Sequence, residues 1–224
     1  MKQIFHILLL CFILLFINNT LNSQVNYINN DAWKWVHPNP QGNSLRWCKM
    51  WNANTWYMAG GNGTFMKTNN AGVTWNINTH AGVFTGAYSD VQNAFFFNQM
   101  NGILACTHGI TKTTDGGNSF LLIPGTEING AWRSMYFVNE TTGYVIGGYG
   151  SDNKKLAKTT DAGNTWILST TLTSGSYNDI YADANMIIAA GVDGFVKRST
   201  DSGISWYSYS TGSPTLLNKL KFIN

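Results

Sequence analysis

One octapeptide occurs four times in this chain of 224 residues. The copies are Thr68-Asn-Asn-Ala-Gly-Val-Thr-Trp75, Thr113-Thr-Asp-Gly-Gly-Asn-Ser-Phe120, Thr159-Thr-Asp-Ala-Gly-Asn-Thr-Trp166 and Ser199-Thr-Asp-Ser-Gly-Ile-Ser-Trp206. Their central glycines, Gly72, Gly117, Gly163 and Gly203, stand 45, 46 and 40 residues apart. Self-similarity at that period restricts a chain to arrays of one small unit, each unable to bury its apolar surface alone. A basic residue (Lys67, Lys112, Lys158, Arg198) runs just ahead of each copy.

The flanks repeat too. Small-residue patches precede the copies at 59–63, 105–109, 146–150 and 190–194, each after a short apolar run such as Tyr144-Val145-Ile146. Earlier still come alternating segments: Leu45-Arg46-Trp47-Cys48, Tyr88-Ser89-Asp90-Val91, Trp132-Arg133-Ser134-Met135 and Tyr177-Asn178-Asp179-Ile180. Four short apolar runs per unit, bounded by turn residues and free of any 3.6-residue period, predict four-stranded antiparallel blades of an all-β propeller. We place the blades at 44–79, 87–124, 131–170 and 176–210, with the first strand of a fifth at 216–224. A solenoid is the structural rival.

The octapeptide falls between the third and fourth runs of each blade. There Asp115, Asp161 and Asp201 can accept hydrogen bonds from turn N–H groups, and Asn70 can do the same in the first blade. Gly72, Gly117, Gly163 and Gly203 supply a backbone angle that a Cβ resists. Trp75, Phe120, Trp166 and Trp206 then open the outer strand and can pack between blades. The expected role of all these residues is structural.

Only 11% of residues are charged, against roughly 25% in average proteins, and the net charge of +3 is not clustered. A nucleic-acid partner is therefore not expected. Aromatic residues at 14% exclude a disordered chain. Lys2 followed by a nearly continuous apolar run over 4–17 reads as a signal peptide spanning 1–23. That run falls short of the roughly 20 residues that span a bilayer, so no stable membrane span is expected after cleavage. The chain reads as exported, to the periplasm, the cell surface or the medium. Residues 24–43 form an N-terminal segment, in which Trp33, Trp35 and Val36 suggest a closing strand over 31–37. Cys48 and Cys106 permit one disulfide, with buried free thiols the favoured alternative.

The octapeptide resembles the Asp-box, or BNR repeat, of sialidases, some glycoside hydrolases and sortilin-type receptors. The complete blade over 132–166 resembles the photosystem II assembly and stability factor propellers and their counterparts in exported bacterial proteins. The resemblance covers roughly 31–224 and implies a non-catalytic, protein-binding propeller. Its members are typically seven-bladed, so we read the chain as cut from a larger ring, with a small closed ring as the alternative.

Within that frame the inner strands carry the candidate site. One aligned column reads Arg46, Ser89, Arg133, Asn178 and Asn218, and the next reads Trp47, Asp90, Ser134, Asp179 and Lys219. Alternation lets only one column face the channel. Two arginines in it could recognise acidic groups of a partner. Equally, the column could satisfy itself and water. A glycoside hydrolase or sialidase is the alternative function, with Asp90 and Asp179 its only channel-side carboxylate pair. Exposed Trp51, Trp56, Tyr207 and Tyr209 keep glycan binding open. No cofactor or metal is expected: His37, His80 and His108 lack ligand spacing.

Overall fold

The computed structural model describes residues 41–82, 89–128, 130–148, 156–169, 172, 175–212 and 214–222. The expected signal peptide and the suggested closing strand lie outside the described residues. Within them the chain is a β-propeller of four antiparallel sheets, each holding four strands in sequence order. The first blade comprises β1 (Leu45–Met50), β2 (Trp56–Gly60), β3 (Phe65–Thr68) and β4 (Asn76–Asn78). The second comprises β5 (Val91–Phe96), β6 (Gly102–Cys106), β7 (Gly109–Thr113) and β8 (Leu121–Leu122). The third comprises β9 (Trp132–Phe137), β10 (Gly143–Gly147), β11 (Leu156–Thr159) and β12 (Ile167–Ser169). The fourth comprises β13 (Tyr177–Ala182), β14 (Ile187–Gly191), β15 (Phe195–Ser199) and β16 (Tyr207–Ser210).

Three apolar cores hold successive blades together. Tyr57 and Phe65 of blade one pack with Phe96, Leu104 and Phe120 of blade two. Ile103 and Ile110 of blade two pack with Trp132, Phe137, Val145 and Trp166 of blade three. Tyr144 and Leu156 of blade three pack with Tyr177, Ile180 and Ile187 of blade four, with Trp206 against them. Phe120, Trp166 and Trp206 thus each lie back on the preceding blade, as expected of the octapeptide's last residue. Trp75, in blade one, packs on Trp56 with ring centroids 6.3 Å apart. Strands of blade two are buried on both faces, so the run Phe95-Phe96-Phe97 loses its polar alternation.

The octapeptide closes the turn between third and fourth strands. Asp115 accepts from the backbone N of Asn118 and Ser119 at 3.0 and 2.9 Å, and from the hydroxyls of Ser119 and Thr113. Asp161 and Asp201 repeat the arrangement. Asn70 substitutes as expected: its Oδ1 accepts from Thr74 N at 2.9 Å, while its amide donates to Thr74 Oγ1.

Residues 214–222, where the sequence places the first strand of a fifth blade, join no sheet among the described residues and run along blade four. Leu217 N donates to Gly191 O at 2.9 Å, and Phe222 stacks on Tyr181 with centroids 4.0 Å apart. The two described cysteines, Cys48 and Cys106, are free, and of these only Cys106 is buried. Cys48 is exposed because it alternates with Trp47, which stacks on Phe96 of blade two; Cys48 therefore faces the other way.

Candidate partner-binding face

A β-bulge recurs at the start of every inner strand. Leu45 pairs with Gly60 and Trp47 with Ala59, which leaves Arg46 unpaired. The same slip leaves out Gln92 between Val91 and Asn93, Arg133 between Trp132 and Ser134, and Asn178 between Tyr177 and Asp179. A bulge frees its extra residue from the ladder and re-aims the side chain. The bulges sit where the inner strand meets the end of the second strand, on the opposite side of the sheet from the octapeptide turns. They also account for three of the glycine patches. A Cβ on Gly60, Gly147 or Gly191 would lie 2.0, 2.1 or 1.9 Å from the backbone oxygen of Ser44, Ala131 or Ser176.

This geometry corrects the second member of the expected column. Ser89 is not on the inner strand. It lies in the preceding loop, buried, with its hydroxyl donated to Thr107 O. Gln92 occupies the bulge instead, so the aligned register of blade two is off by three residues. Arg46, Arg133 and Asn178 do stand at equivalent positions. A usable signal existed: Arg46, Gln92 and Arg133 each precede by 14 positions the residue paired at the bulge, Gly60, Cys106 or Gly147.

The bulge residues and their neighbours link blade to blade. Arg46 forms an ion pair with Asp90 at 2.9 Å, and Asp90 also accepts from Asn62 N. Asn93 donates to Ser134 Oγ at 3.5 Å. Arg133 Nη1 donates to Asn178 Oδ1 at 2.8 Å, and Ser134 donates to Asp179. Asn178 donates onward to Leu217 O, while Asp179 accepts from Leu220 N at 2.7 Å and lies 3.5 Å from Lys219 Nζ. The two carboxylates considered for hydrolysis, Asp90 and Asp179, are both engaged in these ties.

Arg46 and Arg133 differ in what they offer a partner. Arg46 pairs with a carboxylate, whereas Arg133 leans on the uncharged amide of Asn178 and pairs with no carboxylate among the described residues. Arg133 Nε is buried and has no hydrogen-bond partner among the described residues.

Trp51 and Trp56 turn inward: Trp51 packs edge-on to Tyr57 beneath Lys49 Nζ, and Trp56 packs on Trp75. Tyr207 and Tyr209 stay exposed on β16. Among the described residues no three His, Cys, Asp or Glu side chains are placed to hold a metal ion.

The chain shares its fold with solved propellers of different kinds. It is similar to YCF48 bound to D1 peptide, at 18% identity and a TM-score of 0.57, over 77% of this chain and 55% of that one. It is similar to YCF48 from Cyanidioschyzon merolae at 16% identity and a TM-score of 0.55, over 79% and 59% of the two chains. It is likewise similar to the GH74 enzyme of Niastella koreensis, at 16% identity and a TM-score of 0.58, over 75% and 30%. The chain thus spans little more than half the length of these YCF48 structures and less of the enzyme. No protein-family profile and no curated protein matches its sequence.

Proposed function

We propose that this chain is an exported, non-catalytic propeller whose bulge-bearing face binds a protein segment carrying acidic groups. The observation that carries the reading is the bulge repeated in four blades. It sets Arg46, Gln92, Arg133 and Asn178 in one row, with Arg133 paired to no carboxylate among the described residues. An arginine so placed offers a planar fork to a carboxylate. The likeness to a YCF48 that is bound to a peptide supports a polypeptide partner. The engagement of Asp90 and Asp179 with neighbouring blades supports a role without catalysis. Export rests on the apolar N-terminal run.

Binding to an array of extended peptides of graded net charge tests the proposal. Acidic peptides should bind, should weaken with added salt, and should lose most affinity in Arg133→Gln while the melting temperature stays near that of the parent. Preference for neutral or basic peptides contradicts it. Saturable binding of a xyloglucan oligosaccharide, with no peptide bound, would favour the glycan reading.

A further inference from the structure

We propose that blade four, with residues 217–222 lying along it, accepts an extended segment of another polypeptide as the second strand of a fifth blade. The contacts that join successive inner strands recur once more beyond β13. Arg133 donates to Asn178 between blades three and four, and the Asn178 amide lies 3.5 Å from Asn218 Oδ1. Ser134 donates to Asp179, and Lys219 Nζ lies 3.5 Å from Asp179. Phe95 and Tyr181 hold the same place in their inner strands, opposite Ile103 and Ile188. Phe95 stacks on Phe137 of the next blade with centroids 4.5 Å apart and planes at 25°. Tyr181 stacks on Phe222 at 4.0 Å and 23°. Residues 218–222 therefore occupy the place of an inner strand, in step with β13.

That placement fixes which groups stay open. In blade three Val138 N donates to Thr142 O, so by alternation the N–H groups of Tyr136 and Ser134 point at β10. Their counterparts along blade four are Lys221 and Lys219. Leu220 N, between them, points the other way and donates to Asp179 at 2.7 Å. The Lys219 and Lys221 N–H groups meet no backbone acceptor among the described residues. The sheet face beside this edge is open too. Tyr57, Ile103 and Tyr144, which face the next blade from the second strand, are at most 4% exposed, and Phe65, Ile110 and Leu156 on the third at most 1%. Ile188 and Val196 hold these two places in blade four, paired with Arg198 and Ala190, and are only half-buried. In the sister interfaces the cover comes from the second strand of the next blade, by Leu104, by Val145, and by Ile187 with Ala189.

The occupant's chemistry follows from these sister strands. It is an extended segment, antiparallel to 217–222, whose main chain pairs with Lys219 and Lys221. Its alternate side chains turn towards blade four and are aliphatic, as Leu104, Val145 and Ile187 are. The residue opposite Lys221 turns the other way, and a carboxylate there pairs with its ammonium across the strands. Such a segment is held by main-chain and aliphatic groups, so its binding is independent of the acidic recognition proposed for the bulge row.

Amide-resolved NMR titration with hydrogen exchange on the whole chain tests the proposal. One probe is a blocked peptide copying residues 185–191, Asn-Met-Ile-Ile-Ala-Ala-Gly. The other is the same peptide with Ile188→Glu, the place opposite Lys221. Saturable shifts are expected at 218–222, Ile188 and Val196, with slowed exchange at the Lys219 and Lys221 amides. The glutamate peptide should bind about threefold more tightly at low salt. Lys221→Pro removes one pairing N–H and should weaken both peptides about tenfold or more. Lys221→Thr keeps that N–H and should leave binding of the uncharged peptide unchanged. Equal loss in both variants assigns the contact to the lysine side chain and overturns the proposal. So does the absence of saturable shifts, shifts without slowed exchange at Lys219 and Lys221, or unchanged binding in Lys221→Pro.

Discussion

Lys67, on the third strand of blade one, donates from its Nζ to the side-chain oxygen of Asn118 in the octapeptide turn of blade two, at 2.9 Å. The same ammonium donates to Gly116 O at 2.9 Å. Lys112 repeats the reach one blade on, to Asn164. The basic residues ahead of the first two octapeptides thus hold the turn of the following blade. In the fourth octapeptide the asparagine position is Ile204, and Lys158 lies instead over the Tyr144 ring.

Breaking this stitch should have a modest cost, because the pair is exposed. Asn118→Ile, which copies Ile204, should destabilise the chain by about 0.5–1.5 kcal/mol in urea unfolding, with little dependence on salt because the acceptor is an uncharged amide. A loss well above this would assign Asn118 to packing.

Two glycines with the same backbone angle separate strain from crowding. Gly117 has φ +81° and Gly125 has φ +79°. A Cβ on Gly117 would lie 2.1 Å from Cε1 of Phe65, whereas one on Gly125 meets nothing within 4 Å. Gly125→Ala should cost about 1 kcal/mol, for the left-handed backbone alone. Gly117→Ala should cost roughly 2–4 kcal/mol, since Phe65 must also be displaced from the first interblade core. Equal losses in chemical denaturation would contradict this packing.

Acid should loosen the octapeptide turns. At Asp115 burial acts upward, but hydrogen bonds from the Ser119 hydroxyl and amide and from Thr113 outweigh it and bring the pKa down to about 2. At Asp201 the Ser205 hydroxyl and amide and Ser199 do the same, again to about 2. An unfolded aspartate titrates near 3.9, so on acidification the unfolded chain takes up these protons first. The turns' contribution is complete above about pH 4 and is lost as the pH falls towards 2. Urea unfolding at a series of pH values should show Asp115→Asn and Asp201→Asn flattening this slope. Asn70 already makes the first turn without a charge.

The two thiols should part in reactivity. Burial pushes the Cys106 thiol up to about 12, while Cys48 is exposed. A maleimide should label Cys48 in the native chain and reach Cys106 only after denaturation. Rapid native labelling of Cys106 would mean the core between blades one and two opens readily.

The octapeptide turns were legible in the sequence because their logic is local. Asp, the glycine two places on and the hydroxyl two further suffice to build the turn, and the final aromatic marks the interface. The bulge was harder to read, since one unpaired residue leaves no compositional trace. In blade two Tyr88-Ser89-Asp90-Val91 imitates Tyr177-Asn178-Asp179-Ile180. The true strand is masked by Phe95-Phe96-Phe97, whose rings fill the cores on both sides of the blade. Gln92 was therefore missed, and Ser89 stood in its place.

The most direct test of the partner-binding reading is where a bound acidic peptide touches the propeller. Amide shifts on titration should concentrate at Arg46, Gln92, Arg133 and Asn178 and their strand neighbours, leaving 115–119 and 161–165 unmoved. Shifts confined to the octapeptide turns, or spread without regard to the four bulges, would contradict the account.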